Sequence, residues 1–263
     1  MSERVLYPDE EQRRRIMDFI MAAGQTLLEN GAEVFRVEQT MEIMARSFHL
    51  REFHVYILTN GIFASAGTAE ISEVRNVPVR TTHLGRVAAV NELSRQIAAG
   101  GLTLDEAEAQ LARAKRIPFP NDRVQLVAGL SGAFCFAMIF GGTLRAGLAA
   151  AVAGLAASSY LLLCERLNLP GGFRKITTAS LITLVCLLLC HLLGIEASHA
   201  IIGTLMILTP GIAFTMGIRD FVQGDYLSGT IRMIDALLVA ACIAIGTGFV
   251  LWCYSLLTGV NIA

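Results

Sequence analysis

Past Arg123 this sequence is nearly without charge. Of the 21 Lys+Arg and 22 Asp+Glu in its 263 residues, only 6 and 5 lie beyond that point. So apolar a stretch cannot present an ordinary water-facing surface, and a hydrophobic share of 54% with a mean hydropathy of +0.57 says the same of the whole chain. The first half lacks cysteine: Cys135, Cys164, Cys186, Cys190, Cys242 and Cys253 all lie after it. A cysteine-free domain fits a reducing compartment. None of the six forms a CxxC pair or keeps zinc-ligand spacing with a histidine, so they read as small packing residues, and no metal or other cofactor is expected. A basic excess is missing too. A net charge of -1 and a pI near 6.5 leave no stripe to follow a phosphate backbone, which sets nucleic acid aside as a partner. The sequence holds no HExxH, GxSxG, P-loop or kinase signature, so familiar hydrolytic and nucleotide-driven chemistries have no site. No apolar run backs the charges of the N-terminal MSERVLYPDEEQRRR, so no cleavable signal peptide is expected.

What the first 120 residues do contain is periodicity. Ile16, Phe19, Ile20, Ala23, Leu27 and Leu28 recur at helical spacing up to the stop at Asn30-Gly31, and a second stripe, Val34, Val37, Met41, Met44 and Phe48, follows. The two predict a pair of packed amphipathic helices. Alternation then takes over around Phe53 to Leu58, and Asn60-Gly61 before Ile62 to Ala66 predicts a hairpin; residues 71–79 predict a third strand ended near Pro78. Leu84, Val87, Val90, Leu93 and Ile97 restore a helical stripe, and Thr103 with Glu106 makes a capping box for a last short helix. His49, His54 and His83 are scattered and carry no ligand spacing. The expectation is an α+β domain over 1–120, with Pro118 and Pro120 as the linker.

Residues 121–263 predict a transmembrane helical domain. A spanning helix needs roughly 20 mostly apolar residues, and five segments qualify, near 124–140, 146–163, 176–193, 200–217 and 234–257. Basic residues set the orientation. Arg113, Lys115, Arg116 and Arg123, then Arg166, Arg174 and Lys175, then Arg219 and Arg232 fall on one side, and only Arg145 on the other. This places the first domain in the cytoplasm and the C-terminus outside. Ala150, Gly154 and Ser158, and likewise Ala236, Ala240, Ala244 and Gly248, form small-residue stripes that suit either packing within the chain or a seam for a partner.

Two polar features stand out in that apolar half. Thr209-Pro210-Gly211 falls inside the fourth segment, where a proline removes one backbone hydrogen bond and a glycine adds freedom. A helix broken there offers backbone amides to an anionic substrate group, and a proline kink tolerated by its neighbours is the other reading of the same residues. Next comes the densest polar cluster, Arg219, Asp220 and Asp225, followed by Arg232 and Asp235. Charges at a bilayer edge often serve topology alone, but Asp235 enters the fifth segment and needs a partner, which Arg232 one turn earlier could be.

The turn Asn30-Gly31-Ala32-Glu33, the hairpin around Thr59-Asn60-Gly61, Pro210-Gly211 and the loop from Arg219-Asp220 to Arg232 together resemble the threonine/serine exporter family, in the same order and over nearly the whole chain. The resemblance implies a multi-pass protein of the bacterial inner membrane that exports small polar metabolites. It further implies the larger component of a split form that works with a small multi-span membrane subunit, with a dicarboxylate such as succinate, or threonine and serine, as cargo. Pro210 and Gly211 are then the candidates for the broken helix, Asp220, Asp225 and Asp235 for proton or substrate contacts, Arg232 for a charge partner or carboxylate ligand, and Arg219 for the same substrate or proton pathway. Two other classes stay open: a membrane enzyme with Asp220 and Asp225 as acid and base or metal ligands, and a membrane-anchored sensor or scaffold. Five spans are more than an anchor needs, which favours transport.

Overall fold

The computed structural model describes residues 9–67, 71–77 and 81–259. It divides into two compact units, one within Met1–Phe119 plus Met216–Ile231, the other Pro120–Thr215 plus Arg232–Ala263.

The first unit opens with α1 (Glu10–Glu29), started by Asp9, whose side chain accepts from the Gln12 amide. It ends in a Schellman turn: Gly31 takes a φ of +86°, and the amides of Gly31 and Ala32 return to the carbonyls of Leu28 and Leu27. The chain thereby reverses into α2 (Val34–Ser47). The two helices cross closely, because a Cβ on Gly24 would stand 2.3 Å from the Met41 sulfur. The antiparallel sheet β1 (His54–Leu58), β2 (Gly61–Ala66), β3 (Ile71–Asn76) has β2 in the middle. Leu58 pairs with Gly61, so the hairpin turns on Thr59-Asn60, and Gly61 is already the first residue of the central strand. Pro78, expected to end the third strand, lies outside the described residues. Then α3 (Leu84–Ala98) and α4 (Leu104–Lys115) follow, the latter opened by the reciprocal Thr103/Glu106 capping box. Arg15 holds both Glu108 and Asp105, fastening α1 to α4. Met17, Ile20, Leu27, Met41, Ile62 and Leu93 are fully buried at the centre.

The second unit is helical: α5 (Asp122–Ile139), α6 (Leu144–Arg166), α7 (Gly171–Leu193), α8 (Ser198–Leu205), then α9 (Gly211–Val222) and α10 (Tyr226–Thr258), the last two shared with the first unit. Four of these, α5, α6, α7 and α10, are long and apolar enough to cross a bilayer. Their outer faces are apolar and uncovered. On α10, Leu237, Leu238, Ile245, Phe249, Trp252 and Leu256 are each about 60% exposed. A face of that size is stable only against lipid or another apolar surface, so the chain is an α-helical membrane protein. The expected fourth span is not one helix but the two short helices α8 and α9, separated at 206–210.

Inside the second unit the core is built from small residues. A Cβ on Gly154 would lie 2.4 Å from the Gly129 carbonyl oxygen, one on Gly203 would lie 2.4 Å from the Ala137 amide nitrogen, and one on Gly246 would lie 2.3 Å from the Ile176 carbonyl oxygen. Backbones therefore touch at α5–α6, α5–α8 and α7–α10. Such approach replaces the hydrophobic drive that lipid removes. The α6 stripe Ala150, Gly154 and Ser158 is buried in this seam, whereas on α10 Ala240, Ala244 and Gly248 are open.

Candidate functional site

The break between α8 and α9 follows from Pro210. With no N–H at that position, the Met206 carbonyl cannot receive its helical hydrogen bond and instead accepts from the Thr209 amide at 3.3 Å. The two preceding amides, Ile207 and Leu208, likewise bond three residues back, so the helix tightens and stops. Helix geometry resumes with Phe214 N–H on the Pro210 carbonyl at 3.0 Å, making Gly211 the first residue of α9. The break thus presents the N-terminal end of a helix within an apolar unit. An amide-rich, positive helix end there suits an anionic group. Thr204, fully buried one turn earlier, anchors α8 by donating to the Ala200 carbonyl at 2.8 Å and reaching the Ala150 carbonyl at 3.3 Å.

The C-terminal turns of α9 and the start of α10 form a tight helical corner in the first unit. Asp225 N–H bonds the Asp220 carbonyl, Gly224 turns the chain with a φ of +85°, and Asp225 caps α10 by accepting from the Ser228 amide at 3.3 Å. Gly229 permits the closeness, since a Cβ there would meet the Phe221 ring at 2.9 Å and the Gly217 carbonyl at 3.0 Å. This corner packs on α2. Arg219 Nη1 donates to Glu33 Oε1 at 2.6 Å across 186 residues of sequence. Asp220 is 2% exposed, and with Asp225, Glu38, Val34 and Tyr56 it lines a cleft of about 460 Å³. Burial, and then the nearby carboxylates Glu42 and Asp225, push the Glu38 carboxyl above the usual range.

Of the residues singled out in the sequence, the structure therefore brings Arg219, Asp220 and Asp225 together with Glu33 and Glu38, while Pro210, Gly211, Arg232 and Asp235 fall in the other unit. Arg232 and Asp235 lie one turn apart on α10, and Asp235 is exposed on it. Among the described residues, no three His, Cys, Asp or Glu side chains group as metal ligands. In the sequence Glu33 stands out only as part of the Asn30–Glu33 turn, not as a site residue, and Arg36 and Glu38 do not stand out at all. One signal was available: Glu33 stands at the N-cap of α2, a place where Ser, Thr, Asp or Asn is favoured, and its side chain caps nothing.

Comparison with known proteins follows the same outline. The ThrE family, described as "Putative threonine/serine exporter", matches over residues 18–254. A Mycobacterium tuberculosis protein named "Probable threonine/serine exporter" is 26% identical over 243 residues, covering 90% of this chain and 46% of the relative. This chain thus spans about half the length of that curated relative. No solved structure matches it. Both matches are to transporters, not enzymes.

Proposed function

Because this chain belongs to the ThrE family of threonine/serine exporters, we propose that it is the larger component of a bacterial inner-membrane exporter of small polar metabolites. The observation that carries this reading is the helix broken at 206–210 between α8 and α9. Discontinuous helices supply polar backbone inside an apolar bundle, which a passive anchor has no use for. Counted together, α8 and α9 make one interrupted pass beside α5, α6, α7 and α10, about five in all. The distribution of Arg and Lys supports a cytoplasmic, soluble domain over 1–120 and an external C-terminus.

In this reading Pro210 and Gly211 shape the break, Asp220 and Asp235 carry protons or meet substrate, and Arg219 and Arg232 balance charge. Asp225 contributes through the same corner. Threonine and serine are the cargo that the relative's name supports, and a dicarboxylate such as succinate is the alternative. A small multi-span membrane subunit completes the exporter, a proposal supported by the open small-residue face of α10. The test is export from cells of Asp220→Asn and Asp235→Asn variants, with membrane content checked by blotting. Loss of export at unchanged membrane content is expected; normal export by both variants refutes the site.

A further inference from the structure

A second cleft, of about 510 Å³, lies in the first unit between α2, α3 and the end of α9. Opposite charges face each other in it. On one wall Glu33 gives one carboxylate oxygen to Arg219, and its other oxygen, Oε2, is buried with no hydrogen-bond partner among the described residues. A buried carboxylate oxygen left unpaired is destabilising unless a donor reaches it. On the same helix face, three residues on, Arg36 bonds only the neutral Gln39 amide, at 3.2 Å, among the described residues. The other guanidiniums at this cleft are already matched, Arg219 by Glu33 and Arg95 by Glu92. The first turn of α2 beside them has no side-chain cap. Thr40 and Asn91, 3.5 Å apart, add hydroxyl and amide groups deeper in, and Val87 gives an apolar floor.

We propose that this cleft is a binding site for a small zwitterion, an α-amino acid with a short polar side chain. Its ammonium donates to Glu33 Oε2, its carboxylate meets Arg36 and the uncapped start of α2, and its side chain turns toward Thr40 and Asn91. Glu33 is the hinge of the arrangement, because the same carboxylate holds Arg219 on α9. Occupancy of the cleft is thereby linked to the helix whose N-terminal end is the break at 206–210. The site is additional to the membrane-embedded candidates and does not depend on the route by which cargo crosses.

The experiment is calorimetric titration of the purified full-length protein in nanodiscs with L-serine, lactate and ethanolamine, which carry both charges, the carboxylate alone and the ammonium alone. Saturable serine binding is expected, with each half-ligand about ten- to hundredfold weaker. Glu33→Gln weakens serine by a similar factor and leaves lactate unchanged, Arg36→Gln weakens serine and leaves ethanolamine unchanged, and Arg14→Gln on the exposed face of α1 changes nothing. No saturable serine binding, equal binding of lactate and serine, or wild-type serine affinity in both Glu33→Gln and Arg36→Gln overturns the proposal. The ligand series on the unaltered protein decides the matter if a variant does not fold. Flux measured separately keeps the two readings apart: serine export with wild-type binding by both variants refutes this cleft alone, and the expected binding pattern without any flux refutes the exporter alone.

Discussion

Replacing Gly154 by alanine adds one methyl group at the place where α5 and α6 touch. That methyl carbon would stand 2.4 Å from the Gly129 carbonyl oxygen and 2.6 Å from the Ala133 Cβ. The first distance is roughly 1 Å short of van der Waals contact, and the obstacle is backbone, which cannot rotate aside. The helices must therefore separate along the whole seam that buries Gly129, Ala133, Ala150 and Ser158. Overpacking of this kind costs about 1–3 kcal/mol, and an intrinsic helix propensity that favours Ala over Gly by about 1 kcal/mol works against it. A net loss of up to about 2 kcal/mol is expected. The assay is denaturant unfolding in mixed micelles, read by far-UV circular dichroism, beside the control Gly248→Ala. A Cβ at Gly248 meets nothing within 4 Å, so this control should equal the parent or exceed it by up to about 1 kcal/mol. A Gly154→Ala protein as stable as Gly248→Ala would refute the close α5–α6 seam.

Three further outcomes follow from the first unit. Glu38 has a raised folded pKa, so its protonated form is the one the fold favours; the stability it gives is present below the ordinary value of 4.5 and lost as pH rises through the raised value. Glu38→Gln should accordingly raise Tm at pH 7 and leave it unchanged below about pH 4, and an equal effect at both pH values would contradict this. Asp225→Ala removes the cap of α10 and should cost about 1 kcal/mol, whereas Asp225→Asn keeps the acceptor and the stability; export lost in the stable Asn variant as well as in the Ala variant would mark the charge as functional. A double-mutant cycle on Glu33 and Arg219, half-exposed on the Arg side, should return a coupling of about 0.5–1 kcal/mol, and a coupling of zero would remove the contact between α2 and α9.

Much of the fold was legible because its signals are local. The stripe from Ile16 to Leu28 ended by Asn30-Gly31 became α1 and its Schellman turn, the period-2 run at 54–66 became the hairpin, and Thr103/Glu106 became a capping box. Pro210 could be read as a break because a missing N–H acts on the turn that precedes it. Contacts between distant segments left no such trace. Nothing in the periodicity around Arg219 announces that Glu33, 186 residues earlier, is its partner, and so the grouping of 216–231 with the first unit was not readable. Spacing also does not say which face is covered: Ala150, Gly154 and Ser158 meet α5, while the equally spaced Ala240, Ala244 and Gly248 stay open and Gly246 makes the contact on α10. Asp225 was singled out for its charge, although a simpler role was available in the sequence, that of an Asp standing three residues before the Ser228 amide it caps.

Solute flux is the most direct test of the central claim. The protein is reconstituted into liposomes with and without a candidate small membrane subunit, the vesicles are loaded with labelled threonine, serine or succinate, and efflux is followed with and without an imposed proton gradient. Efflux of one of the three that needs the subunit, and that falls to background when Asp220 or Asp235 is changed to Asn, is the predicted result. Retention of all three under every condition would contradict the account.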